Sequence, residues 1–471
     1  IPWREEDLSA LNSTDQDAEL ARMLDEERGR FDLTQAPLLR FSLVRLGEDR
    51  WRFVLSNHHI ILDGWSYPLL FQDLFALYEA DGNSRAVGRV TPYRDYVEWL
   101  ARRDRTEAEQ AWTRVVGDVS EPTRIAPDTE ARQQRLPEYV EVGLSRERTA
   151  ELEAWARGRG LTLNTVVQGV WALVLGGLTG RDDVVFGATV SGRPPEVSGV
   201  ESMVGLFINT LPVRVRLNPG LSLEELLGRV QAEQVGLMAH QHLGLADIQR
   251  IAGVGDLFDT LTVFENYPLD TDSLTLGDGR VRVSGLQGKD ATHYPLSLAA
   301  MLSESSLMLR LGYATDLFDV SEVEAIGARF LRVLETVLAD PGLPIGRVEI
   351  LPESERHRIL EVWNDTARPD VRPQTFPELF VAQVESGPDN VAVIHGDTSW
   401  TYTELNDRAD RLAGELTARG AGPERVVGMA LPRGLDMITV VLAILKSGAA
   451  YLPIDLAHPD ERIAYMLDDA A

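Results

Sequence analysis

The sequence contains no cysteine. That absence excludes disulfides, thiolate metal sites and cysteine nucleophiles together, so any nucleophile or base is another residue type. Lysine is nearly missing as well, at Lys289 and Lys446 only, and arginine supplies the other positive charges. The formal net charge of −27 runs against a nucleic-acid partner, because neutralising phosphates requires clustered Lys and Arg. No apolar run approaches the roughly 20 residues of a membrane span, and no secretory signal pattern is present. No membrane partner is therefore expected, and the cytosol is the expected compartment. What is present is ordinary for a globular chain: 44% hydrophobic and 25% charged residues. Its 471 residues suggest about three domains. The chain opens at Ile1 and stops at "ERIAYMLDDAA", inside an amphipathic pattern, so it is expected to be a piece of something longer.

Apolar spacing divides the chain into elements. Leu20, Met23, Leu24 and Arg28 recur at helical intervals through "DAELARMLDEERGRF". "PLLRFSLVRLG" and "RWRFVLSNHH" alternate as two strands, joined in a hairpin through "GEDR". Ser66 is placed to cap a helix through "YPLLFQDLFALYEADG", with Pro68 in its first turn and Gly82 past its end. One further helix is predicted from Thr91 and Pro92 through "YRDYVEWLARRDRTEAEQAWTRV". The polar, proline-bearing "EPTRIAPDTEARQQRLPE" predicts a linker between two lobes. Beyond it, an α/β unit alternates helices such as "TLNTVVQGVWALVLGGLTG" and "SEVEAIGARFLRVLETVLAD" with strands such as "DDVVFGATV", "TLPVRVRL", "GRVRVSGLQ" and "SLMLRLGYA". From about Gly342 to Pro377 the composition turns to Pro, Asn, Asp and Arg, the clearest domain boundary in the chain. "VAVIHGDTSWTYTEL" and the residues after it read as strand, helix, strand, helix, the opening of a parallel α/β domain.

The stretch "SNHHIILDGWS", Ser56 to Ser66, sets two of eight histidines side by side with an acid and a glycine close behind. Successive side chains of a strand face opposite ways, so His58 and His59 cannot share one task. Phe53, Leu55, Asn57 and His59 fall on one face, and Val54, Ser56 and His58 on the other. One imidazole can face a channel while the other packs into the structure; alternation leaves open which. Asp63 follows the strand, where a turn at Gly64 lets it fold back onto an arginine and hold the loop. A lone histidine is ordinarily a partly buried structural residue. The full His-His-x-x-x-Asp-Gly spacing is different, since a chance match in a chain this long is on the order of one in a thousand. His240 and His242 lack a third ligand, so no metal is expected. Tyr93, Tyr96 and Trp99 recur every three residues and are expected mainly as a helix face in the core.

That spacing, extended by Trp65 and Ser66, resembles the HHxxxDG signature of the condensation domains of nonribosomal peptide synthetases. "YRDYVEW" (Tyr93 to Trp99), "SGRPPEVSGVESMVGLFINTLPVR" (Ser191 to Arg214), "HQH" (His240 to His242) and "VFENYP" (Val263 to Pro268) agree with that family in order. "TYTEL" and "LKSGAAYLPID" resemble the first two core motifs of an adenylation domain. The implied fold is α/β: a chloramphenicol acetyltransferase-like, two-lobed, V-shaped condensation domain, N-terminally truncated, followed by the first α/β part of an adenylate-forming domain. The implied boundaries are 1–120 for the N-terminal lobe, 121–345 for the C-terminal lobe, 346–375 for a linker and 376–471 for the start of the adenylation domain.

The resemblance further implies a channel between the lobes, with His59 at its middle. Donor and acceptor carrier domains enter from opposite sides, each presenting an acyl group as a thioester on a 4′-phosphopantetheine arm; the chain itself binds no cofactor. The acceptor amine attacks the donor thioester, and the product is an amide. Freeing an α-amine of pKa about 7.7–8.0 near pH 7 costs only about 1 kcal/mol. The heavier demand follows attack, when the nitrogen is cationic and the carbonyl oxygen anionic. An imidazole suits that proton, and backbone N–H groups near Gly64 suit the oxyanion. His59 is therefore expected as the base or amine-orienting group, His58 and Asp63 as its structural support, and Trp65 and Asn209 on the substrate side.

The family's earliest motifs do not appear before Ile1, so roughly a fifth of the domain is expected to be absent, along with an arginine partner for Asp63. The adenylation part lacks that family's phosphate loop, ribose-binding acid and late catalytic lysine, so amino-acid activation by this chain is not expected. The rest of that domain is an expected partner. "ALPRG" and "AYLPID" also resemble adenylation domains that bind a small MbtH-like protein. The paired histidines disfavour heterocyclisation, "DGWS" ahead of an adenylation start suits condensation better than epimerisation, and "SMVGLFINTL" resembles domains accepting an L-configured donor. The alternative from another class is a noncatalytic platform that keeps the fold and recruits carrier domains or tailoring enzymes. Such relatives usually lose the second histidine, and His59 is present.

Overall fold

The computed structural model describes residues 1–27, 31–127, 137–265, 275–276, 281–285, 288, 292–370 and 373–470. The chain divides into two compact units, Ile1–Val362 and Trp363–Ala471.

In the first unit, β1 (Trp3–Asp7) runs parallel to β2 (Leu39–Arg45), which turns back antiparallel into β3 (Trp51–Asn57). The predicted hairpin is closed by Leu46 N–H on the Arg50 carbonyl at 2.8 Å. α1 (Ser13–Glu27) starts earlier than its apolar spacing predicts, because Asn12 accepts from Asp15 N–H at 3.0 Å. Arg28, counted in that spacing, lies outside the described residues. Buried Gln16 fastens α1 to the sheet by donating to the carbonyls of Leu8 and Leu46 at 3.0 and 2.9 Å. α2 (Ser66–Glu79) lies on the Phe53 face of β3, with Tyr67 donating to Asn57 Oδ1 at 3.0 Å and Phe71 set 6.5 Å from Phe53.

Two helices replace the single one predicted after Pro92: α3 (Tyr93–Ala101) and α4 (Arg105–Val116). Asp104 divides them, since its carboxylate accepts from Thr106 and Glu107 N–H at 2.9 and 3.1 Å and so caps a new helix. α4 buries Trp112 and Val116 in a cluster with Val185, Leu211, Ile248 and Phe258. The chain has thus reached the second sheet before residue 120. Arg214 holds it there, donating to the Val115 carbonyl at 2.7 Å and clasping Asp183 at 2.6 Å.

The second sheet is built from β4 (Glu138–Gly143), β5 (Asp183–Val190), β6 (Asn209–Arg216), β7 (Thr260–Glu265), and β10 (Leu296–Ser303) with β11 (Ser306–Tyr313). A short pair, β8 (Thr275–Leu276) and β9 (Val281–Arg282), precedes the last two. The order is β4-β11-β10-β7-β5-β6, with β7 parallel to both β5 and β10. Parallel neighbours require crossovers, and α7 (Leu223–Leu237) and α8 (Leu245–Ala252) lie on the connection from β6 to β7. The predicted strand "GRVRVSGLQ" falls partly outside the described residues, as does the end of "VFENYP".

α5 (Arg146–Gly158) precedes α6 (Leu163–Thr179), which is apolar around its whole girth because it is enclosed: Thr165 through Gly176 are all buried. It shares a core with Phe186 on β5 and Phe330 on α9 (Val320–Ala339). A fully buried Leu or Phe there contributes about 1.5–3 kcal/mol over an exposed one. Leu343, Val348 and Ile350 pack on that core, and Arg329 grips Glu355 of α10 (Glu353–His357) at 3.0 Å. The polar stretch predicted as linker is therefore fastened to the first unit as far as α10. No single described helix is long and apolar enough to cross a membrane.

The second unit opens with α11 (Phe376–Ser386), capped reciprocally by Thr375 and Glu378. The hairpin β12 (Val391–His395) and β13 (Thr398–Thr401) leads into α12 (Tyr402–Ala418), which has the same cap from Thr401 and Glu404. β14 (Val426–Met429), α13 (Leu435–Lys446) and β15 (Ala450–Pro453) form a parallel strand–helix–strand turn, and α14 (Asp460–Asp469) follows.

Candidate active site

β3 stops at Asn57, one residue short of the histidine pair. In its register His59 falls opposite Pro37, at a pair that carries no ladder hydrogen bond. His58 N–H reaches the Leu38 carbonyl at 3.0 Å, and the chain then turns as Ile61 N–H closes on the His58 carbonyl at 3.2 Å. Strand alternation therefore does not reach these residues, yet their surroundings still differ. His58 is half-buried, its Nδ1 accepting from Ile60 N–H at 3.2 Å and its ring edge-on to Phe31 at 6.4 Å. His59 is exposed. Among the described residues, none hydrogen-bonds to its ring.

Four residues on, Asp63 is completely buried. Its Oδ1 accepts from Ser66 N–H at 3.0 Å and Ser66 Oγ at 2.7 Å, and its Oδ2 from Phe207 N–H at 3.1 Å. Arg193 Nη2 donates to Oδ1 at 3.2 Å, so the carboxylate has an arginine after all. The expectation that this partner was missing with the family's earliest motifs is corrected: it comes from the "SGRPP" loop, 130 residues downstream. Arg193 is itself buried, with a side chain 5% exposed. Burial pushes its guanidinium below the ordinary arginine value, against the pull of Asp63. It also lies 4.0 Å over the Phe207 ring and donates to the Met203 carbonyl at 2.9 Å.

Ser66 does not cap α2 as predicted. It is the first helical residue, Trp65 occupies the cap position without a side-chain bond, and the Asp63 carboxylate takes the Ser66 N–H instead. The Ser66 hydroxyl is fully buried between Asp63 and Gly205, accepting from Gly205 N–H at 3.0 Å. It has one hydrogen. The 2.7 Å contact to the carboxylate, shorter than the 2.9 Å to the Gly205 carbonyl and charge-assisted, assigns that hydrogen to Asp63. Gly64, half-buried in the same turn, is not among the glycines with positive φ, so the turn does not itself demand glycine.

Trp65 is half-buried and donates its indole N–H to the Glu201 carbonyl at 3.1 Å. Asn209 donates from Nδ2 to the carbonyls of Gln241 and Leu243 at 2.9 and 2.8 Å, tying the "HQH" segment to β6. The donors of both residues thus serve the protein. His242 Nδ1 lies 3.2 Å from the Ala239 carbonyl, and burial holds its ring below the ordinary histidine value. Among the described residues, no group of three or more His, Asp or Glu is arranged to hold a metal.

Two glycines make the downstream loop possible. Gly192 has φ +60°, and a Cβ there would lie 1.8 Å from the Phe207 carbonyl oxygen. At Gly205 it would lie 2.3 Å from the Tyr93 ring, which packs on Phe207 at a centroid distance of 5.0 Å.

The condensation-domain family model matches residues 1–360. The chain belongs to that family. The AMP-binding enzyme model matches residues 380–471 of the same chain. Bacitracin synthase 3 of Bacillus licheniformis is 34% identical over 98% of this chain and 7% of its own length. A linear gramicidin synthase polypeptide of Brevibacillus parabrevis is 40% identical over 98% of this chain and 6% of its own. The chain thus spans less than a tenth of the length of either relative. Among solved structures, the nonribosomal peptide synthetase FmoA3 in its AMPPNP-bound form is 26% identical with a TM-score of 0.70, covering 100% of this chain and 50% of that one. The first condensation domain of the calcium-dependent antibiotic synthetase, in complex with a substrate analogue, is 25% identical with a TM-score of 0.58 over 75% of this chain and 81% of that one. Sequence reasoning missed Arg193, Gly205 and Phe207 as partners of the signature. The signal was faint: an arginine between a glycine and two prolines, inside a segment matched only by family order.

Proposed function

We propose that this condensation domain forms an amide bond, moving a donor aminoacyl or peptidyl group from one carrier-bound thioester to the amine of another. The observation that supports it best is the contrast between His59 and Asp63. An exposed imidazole, with no hydrogen bond among the described residues, stands four residues from a carboxylate immobilised in the interior. The acceptor nitrogen attacks the thioester carbonyl, the C–N bond forms, and the C–S bond then breaks to release the phosphopantetheine thiol. The surplus proton on nitrogen passes to His59, which acts as base or amine-orienting group and returns it to the departing sulfur. Backbone N–H groups around Gly64 face the oxyanion in this scheme. His58 and Asp63 hold the loop, and Trp65 and Asn209 contribute as walls, their polar donors already engaged.

The partners are donor and acceptor carrier domains bearing 4′-phosphopantetheine, within a larger synthetase whose condensation lobes divide near residue 120. An MbtH-like protein is proposed on the second unit, where Leu431 and Tyr451 of "ALPRG" and "AYLPID" are exposed. Incubating the synthetase that carries this chain with two loaded carriers, then reading the acceptor arm by mass spectrometry, tests the reaction. A dipeptidyl thioester is expected. Carriers that bind yet remain singly loaded would instead identify a recruiting platform.

A further inference from the structure

The helix face Tyr93, Tyr96 and Trp99 has no part in the chemistry above, yet its rings join segments far apart in the chain. His242 meets Trp99 edge-on at 6.5 Å, Trp99 stacks on Tyr96 at 5.9 Å, and Tyr96 packs on Phe207 at 4.6 Å. Phe207 then gives its backbone N–H to Asp63. A guanidinium caps each end: Arg103 lies 4.0 Å over Trp99, and Arg193 4.0 Å over Phe207. The far end returns to the same strand, because Asn209, two residues beyond Phe207, holds the carbonyls on either side of His242. His242 Nε2 is buried and has no partner among the described residues. Its ring therefore acts there through shape. Aromatic pairs favour a narrow range of offset and tilt, and close-packed interiors transmit a displacement instead of absorbing it.

On the acyl-transfer reading of this site, we propose that Trp99 and His242 are positioning residues. Their stack fixes the Phe207 N–H, which fixes Asp63 and thereby the loop that carries His59. The test compares Trp99→Leu, Trp99→Phe and His242→Leu in the full synthetase, measuring transfer rate against acceptor-carrier concentration beside the thermal midpoint. Trp99→Leu is expected to lower kcat about tenfold, the equivalent of about 1.4 kcal/mol in barrier, with KM within about twofold of the parent. Trp99→Phe keeps a ring in the stack and should recover most of that rate. Combining Trp99→Leu with Ser66→Ala should cost less than the two losses summed, as expected of residues acting on one loop. An unchanged kcat in Trp99→Leu overturns the proposal, as does a Trp99→Phe as slow as Trp99→Leu. Should Trp99→Leu not fold, His242→Leu at a half-buried ring decides the matter by the same split of kcat from KM. If the unaltered synthetase forms no amide, the acyl-transfer reading fails and the positioning role falls with it.

Discussion

Replacing Asp63 by alanine removes the one carboxylate that gathers Ser66, Arg193 and Phe207 in the interior. The Arg193 guanidinium, 5% exposed and permanently charged, is left without its counter-ion. Breaking a buried pair by deleting one partner costs about 3–5 kcal/mol, most of it from the stranded charge. An unfolding entropy of about 2.1 cal/mol/K per residue over the first unit, Ile1–Val362, is about 0.8 kcal/mol/K. The midpoint should therefore fall by about 4–6 °C. Calorimetry on the parent and the variant reads that shift directly, and the transfer assay run beside it should show lost activity. The double variant Asp63→Ala with Arg193→Met supplies the control. With no charge left to strand, part of the lost stability should return. A single variant melting within about 1 °C of the parent, inside the range of ordinary surface changes, would refute the placement of Asp63 as the anchor of this loop.

His59→Ala should abolish dipeptidyl product, seen by mass spectrometry, while the midpoint moves by no more than about 1 °C, because the ring is exposed and has no hydrogen bond among the described residues. Near-normal turnover removes its proton-accepting role. Gly192→Ala should lower the urea midpoint by the equivalent of at least about 1–3 kcal/mol, the range for a strained backbone, since its Cβ would also meet the Phe207 oxygen; an unchanged midpoint contradicts that close approach. Burial pushes the Tyr96 phenol up to about 12, from an ordinary value of 10.0. The folded value is the higher one, so its contribution is complete below pH 10 and is lost as pH rises toward about 12. Denaturation at stepped pH should show Tyr96→Phe keeping stability in that window, and parallel losses in both proteins would count against it.

Local chemistry was the legible part of the sequence. The hairpin through "GEDR" and the enclosed helix α6 follow from alternation and apolar girth. What sequence could not supply was set by partners remote along the chain. β3 ends where it does because the chain turns as Ile61 N–H closes on the His58 carbonyl, a turn that alternation does not announce. One helix became two because Asp104 found its own N–H groups, a competition that periodicity does not register. α8, only Leu245–Ala252, is too short for its apolar spacing to stand out. Within the site, the signature's spacing marked His58, His59 and Asp63, but the identity of the Asp63 arginine depended on a contact across 130 residues. The strand order β4-β11-β10-β7-β5-β6 is likewise a long-range outcome.

Asp63 follows His59 by four residues and is bolted to Arg193, Gly205 and Phe207, on the segment that joins β5 to β6 of the second sheet. Any shift of that segment against the first sheet must tug the imidazole with it. On the proposed role of His59, opening and reactivity are consequently one coordinate, and a bulkier acyl group cannot be admitted by loosening this seam without also misaiming the imidazole.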